Sequence, residues 1–135
     1  MRVRIDATDI LNEAIQAGRL PKTIRAAAWR AVRKVSFALE RKIKSDMPVD
    51  TGRARASWGH WTSQDTNNPE ASEEDAHWED SEGGLYTVQG SNVEYIDYLN
   101  DGHSAQAPAG FIDMATVRAE DELDSEIGKE LGALP

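Results

Sequence analysis

Residues 21–47, PKTIRAAAWRAVRKVSFALERKIKSDM, decide the fold of this 135-residue chain. Ile24, Ala28, Val32, Val35, Leu39 and Ile43 recur at spacings of three and four, the period of one face of an α-helix. Pro21 suits a first helical turn, and Met47 with Pro48 marks the end, because proline cannot donate the next backbone bond. Around the stripe lie Arg25, Arg30, Arg33, Lys34, Arg41, Lys42 and Lys44, with Glu40 the only acid between 22 and 44. Burying Ile24, Val32, Val35, Leu39 and Ile43 against a small antiparallel sheet would contribute about 1.5–3 kcal/mol each. Unpaired burial of several guanidinium groups is strongly unfavourable, so the basic side should meet water, DNA or the acidic face of a neighbour.

Downstream, the run 53–62 alternates Ala54, Ala56 and Trp58 with Arg53, Arg55 and Ser57, which predicts a strand with one buried face. A second strand is expected at 85–90. Between them, 63–83 holds eight acids and no Lys or Arg. Too few apolar groups are present to offset ordering entropy, so a long acidic hairpin loop is expected. Trp78, beside Glu79 and Asp80, is its exception: either a local apolar anchor or a contact for another subunit. Tyr95, Ile96, Tyr98 and Leu99 fit a helical turn stopped by Asn100, Asp101 and Gly102. A last helix follows, with Ile112, Ala115, Ala119, Leu123, Ile127 and Leu131 inward and Glu120, Asp121, Glu122, Asp124, Glu126 and Glu130 outward. Upstream, Ile5, Ile10, Leu11, Ala14 and Ile15 suggest a helical arm over 1–20, capped by Asp6 or Thr8 and ending near Gly18. The expectation is one α+β domain over 1–135, with a long amphipathic helix and a C-terminal helix packed on a small antiparallel sheet.

Composition narrows the function. The chain has no cysteine, which excludes a disulfide framework or a thiolate metal site. Its N-terminus, MRVRIDATDILNEAI, has no continuous apolar run, so neither a signal peptide nor a membrane span is expected there. Residues 1–60 hold 13 Lys/Arg against 6 Asp/Glu, and residues 61–135 hold 2 against 18, so a net −9 divides into +7 and −16. Such blocks are either solvated faces or the two unlike sides of a subunit that contacts its neighbours head to tail.

Catalytic signatures are missing from the sequence. His60, His77 and His103 stand far apart with no second histidine at ligand spacing, and read as ordinary surface or loop residues. Paired carboxylates are too abundant to single out an acid and a base. No nucleophile elbow or phosphate-cradling glycine loop is present; Gly83 and Gly84 read as turn residues. No enzyme activity, cofactor or metal is expected. The basic helix could contact nucleic acid, but an isoelectric point near 4.7 and the lack of interleaved aromatics favour an exposed or subunit-facing side.

The order of a basic amphipathic helix, MPVDTGRARASW at 47–58, VQGSNVEYIDYLNDG at 88–102 and APAGFIDMA at 107–115 resembles the head-to-tail joining family typified by the tenth gene product of HK-type lambdoid phages. The resemblance covers about two thirds of the chain. It implies structural roles for Pro48, Asp50, Thr51 and Gly52 in a turn after the long helix, for Tyr95 and Gly102 in a tyrosine-bearing turn, and for Phe111 at the entry to the last helix. This sequence departs from the pattern at Asn100, where glutamate is usual, and in the Ala109–Gly110 insertion before Phe111. From chemistry alone, Asp50 or Thr51 can accept a turn N–H and Gly52 can take positive φ.

The resemblance implies a virion protein of the tailed-phage neck, a head-tail connector or tail-completion protein. It would form a homo-oligomeric ring, hexameric or dodecameric, and bind portal-adaptor or tail-tube proteins. DNA would pass through without sequence-specific binding and no membrane would be involved. Arg25, Arg30, Arg33, Lys34, Arg41, Trp78, Glu79 and Asp80 are the candidate subunit-interface residues. The alternative, suggested by the −16 segment, is an acidic nucleic-acid-mimicking inhibitor of a DNA-handling enzyme.

Overall fold

The helix read first in the sequence is the wall on which the rest of the molecule is built. A computed structural model describes residues 1–16, 20–47, 52–63, 66–102 and 107–135, with 13–16 described by backbone alone. Elements follow the order β1 (Arg2–Asp6), α1 (Thr8–Gln16), α2 (Lys22–Asp46), α3 (Arg53–Ala56), β2 (Ala76–Ser81), β3 (Tyr86–Ser91), α4 (Tyr95–Asn100) and α5 (Phe111–Gly132). The three strands form an antiparallel sheet in the order β1-β3-β2. The class is α+β, as the helical and strand signals imply.

α2 is shared between two layers. Val32, Val35, Leu39 and Ile43 are buried, while Ile24 at the first turn is half-buried. On one side α2 runs antiparallel to α5, its principal partner. Arg30 Nε bonds Glu130 Oε2 at 2.9 Å and Lys34 Nζ lies 3.1 Å from Glu126 Oε2, while nearer the other end Leu39 and Lys42 of α2 line a groove with Ala115, Ala119 and Glu122 of α5. Ala115, Ala119, Leu123 and Ile127 are buried, two small residues followed by two larger ones along the inward line of α5.

On its other side α2 meets the sheet through apolar Val3 and Ile5 of β1 and through polar groups of β3. Thr87, Gln89 and Ser91 of β3 are fully buried there. Gln89 Nε2 donates to Ser36 O at 2.9 Å and its Oε1 accepts from Trp58 Nε1 at 2.8 Å. Ser36 and Thr87 share a hydroxyl bond of 2.6 Å, and Ser91 Oγ donates to Ser57 Oγ at 2.8 Å. Each buried polar side-chain atom among the described residues has a partner, the condition for such a seam to be stable.

Three local expectations change. The run 53–62 is a helical turn followed by a bend: Gly52 at φ 76° opens it, and Ala56 N–H bonds Gly52 O at 2.9 Å. Arg and Ala favour helix over strand, and RARA has no β-branched residue to resist it. The acidic stretch 63–83 is not one long loop. Its second half is β2, preceded by a 3-10 turn at Glu73–Asp75, and full-length pairing with β3 outweighs its composition. The arm over 1–20 begins as a strand, because Arg2, Val3, Arg4 and Ile5 alternate with a period of two, Val3 and Ile5 facing the core. Helix α1 follows it, with Asp6 Oδ1 accepting Thr8 N–H at 2.7 Å. Gly18, Pro48, Asp50, Thr51 and His103 lie outside the described residues.

Candidate assembly interface

Glu40 organises the flank of α2 that faces away from α5. A buried carboxylate needs donors, and Glu40 finds them in the bend after Trp58: His60 N–H lies 2.6 Å from Oε2, and His60 Nδ1 lies 2.9 Å from the same oxygen. Gly59, at φ 65°, makes this approach possible, since a Cβ there would sit 2.1 Å from Glu40 Oε2. Lys44 Nζ donates to His60 O at 2.7 Å and fastens the bend a second time.

So held, the imidazole joins two aromatic rings in a three-ring cluster. His60 is 4.1 Å from Trp78 and 5.7 Å from Phe37, and Phe37 and Trp78 are 5.2 Å apart, centroid to centroid. Trp78 Nε1 donates to Asp80 Oδ1 at 3.0 Å. The Arg33 guanidinium lies 5.2 Å from the Phe37 centroid, within cation–π range, and Arg41 is exposed one turn beyond Phe37. The result is a partly exposed aromatic platform edged by cations.

The expected basic side of α2 therefore divides. Arg30 and Lys34 belong to the seam with α5, and the Lys34 ammonium holds the Glu126 carboxyl below the usual carboxylate range. Arg25 donates to Gly83 O at 3.1 Å across the hairpin turn. Arg33 and Arg41 have no carboxylate partner among the described residues. Glu79 lies 3.3 Å from His77 Nε2 on the outer sheet face. Phe37 thus brings Arg33 and Trp78 to one surface, Arg41 stands exposed one turn further along α2, and Arg30 and Lys34 pair with α5. Phe37 and His60 escaped sequence reasoning. An aromatic on the polar flank of an amphipathic helix, four residues after Arg33, was the available signal.

The other motif residues among those described make local contacts in and around α4 and α5. Gly102, at φ 93°, packs where a Cβ would meet Ala109 Cβ at 2.8 Å, and Phe111 is buried at the start of α5. Asn100 joins the two: its Oδ1 accepts Ile112 N–H and its Nδ2 donates to Asp113, both at 2.9 Å. Tyr95 stands near the Arg53–Asp75 pair, and burial pushes its phenol up. Asp75 accepts Arg53 Nε at 3.0 Å and Nη2 at 3.2 Å, and these bonds hold its carboxyl below the usual range.

The family described as Bacteriophage HK97-gp10, putative tail-component, matches residues 11–102. The chain belongs to this family. Comparisons with curated proteins and with solved structures gave no match. The part of the HK97-gp10-like chain matched includes α2, the aromatic platform, β2, β3 and α4, whereas β1 and α5 lie outside it. Among the described residues, no helix is long and apolar enough to cross a membrane, and no group of three or more metal-ligating side chains is assembled.

Proposed function

We propose that the chain is a structural subunit of the phage neck, a head-tail connector or tail-completion protein that works by assembling into a ring and not by catalysis. Family membership across 11–102 carries this reading. The distribution of chemistry supports it: aromatic rings and unpaired cations gather on one flank of α2, while the outer face of α5 is acidic. In this role the ring, a hexamer or dodecamer, binds portal-adaptor or tail-tube proteins and surrounds DNA without reading its sequence. Contacts among rigid subunits supply the function, so specificity resides in faces and not in a pocket. The nucleic-acid-mimic reading would call for an uninterrupted acidic surface, and Arg30 and Lys34 interrupt it at Glu130 and Glu126.

Deletion of the gene from the phage tests the proposal. Filled heads and finished tails that remain unjoined in electron micrographs are the expected outcome. Joined, infectious particles at normal yield would refute it.

A further inference from the structure

We propose that the contact between neighbouring copies is head to tail, with the platform of Phe37, His60 and Trp78 and its flanking Arg33 and Arg41 docking on the outer stripe of α5 of the next copy. This rests on the ring reading and specifies its interface.

The outer stripe of α5 is set by helical geometry. Met114, Val117, Asp121 and Asp124 follow one another at three and four, opposite the buried line of Ala115, Ala119, Leu123 and Ile127. Met114 is 49% exposed and Val117 57%, among the few large apolar side chains left in solvent. Asp121 and Asp124 are exposed and have no cation partner among the described residues. The stripe is therefore apolar at one end and acidic at the other, over about 15 Å of helix.

The platform offers the matching chemistry. Arg33, Phe37 and Arg41 form a ridge of about 12 Å along α2. Partly exposed aromatics with an arginine beside them are the side chains that dominate protein interfaces. Met114 and Val117 would cover Phe37 and Trp78, and Asp121 and Asp124 would receive the cations. Charge favours a second copy over DNA as the occupant: at net −9, copies brought together must set unlike faces against each other or repel.

The placement also suits closure into a ring. Arg30 and Lys34 mark the α5 side of α2, and Phe37 lies on the flank against β2, so platform and stripe lie on different faces of the subunit. A contact between two different faces is heterologous, and each copy then offers one free face of each kind until the ring closes.

Two charge-reversed chains test this: Arg33→Glu with Arg41→Glu, and Asp121→Arg with Asp124→Arg. None of the four residues joins an internal ion pair, and thermal unfolding checks that each variant is folded. Light scattering should show the wild type assembling. Each variant alone should need a concentration about tenfold or more higher, and an equimolar mixture should recover assembly, since each supplies the face the other lacks. Because the chain has no cysteine, Arg33→Cys combined with Asp124→Cys should give a ladder of disulfide-linked multimers on mild oxidation. A wild type that stays monomeric at all concentrations would overturn both this contact and the ring. A wild type that assembles together with variants that do so equally well, or a missing ladder, would overturn the contact and leave the ring standing. Loss of DNA binding in the Arg33→Glu, Arg41→Glu chain with assembly unchanged would reassign the platform to nucleic acid.

Discussion

The two sides of α2 solve the same packing problem with unlike chemistry. Toward α5, alanines and leucines close the seam, and the ion pairs at Glu126 and Glu130 stand at its rim. Toward the sheet, apolar Val3 and Ile5 are joined by buried Ser36, Thr87, Gln89 and the indole N–H of Trp58, each polar group satisfied by another. Apolar contact is not directional and tolerates small slips, whereas a hydrogen-bonded seam accepts one register. A one-residue slip of β3 would carry Gln89 to the outer face and leave Trp58 Nε1 and Ser36 O without partners. The polar seam thus fixes where β3, and with it the β2 platform, sits against α2.

Substitutions that break either seam should have the largest effects. Trp58→Ala removes the largest fully buried side chain and its bond to Gln89, and should cost about 3–5 kcal/mol in urea denaturation. Leu123→Ala, on the apolar side, should cost about 2–5 kcal/mol. Gln89→Leu keeps much of the volume but strands a buried donor and an acceptor, for a loss of about 1–3 kcal/mol. Adding Trp58→Phe to Gln89→Leu should cost less than the two single losses combined, because the orphaned donor is then gone. An additive double variant would mean that the seam is held by shape and not by hydrogen bonds.

Two smaller effects sharpen the contrast at the rims. Asp75 has a depressed carboxyl pKa in the folded chain, so its pairing with Arg53 stabilises fully above the unfolded aspartate value of about 3.9 and is lost as pH falls through the folded value. Arg53→Met should therefore lose about 1–2 kcal/mol at neutral pH, and its deficit relative to wild type should shrink on acidification below about pH 4. Arg30→Ala breaks an ion pair whose arginine side chain is 52% exposed, and should cost less than about 1 kcal/mol, with little remaining at high salt.

The apolar seam was legible because its signal is periodic. The spacing of three and four in α2 and α5 located both helices to within a few residues. The polar seam carries no such signature, since nothing in YTVQGS marks Thr87 and Gln89 as inward and Val88 as the residue turned away. Only register with β1 and packing on α2 decide that. β2 was hidden by its acids for a related reason: as an edge strand its pairing comes from β3, not from its own apolar content. In the candidate interface, the sequence brought Arg30, Arg33, Lys34 and Arg41 into one basic side, and α5 separated them. His60 joined Phe37 and Trp78 only through Glu40 and Gly59, groups whose meeting no local pattern announces.

The position of β3 in the sheet has a kinetic consequence. Arg2 of β1 pairs with Gly90, so β1 has no partner until about two thirds of the chain has been synthesised, whereas β2 and β3 form a local hairpin. During that interval Val3 and Ile5 would be the exposed side of an open strand, a template for wrong pairing. Arg2 and Arg4, alternating with them, place repelling charge on the same short segment and guard it until β3 arrives.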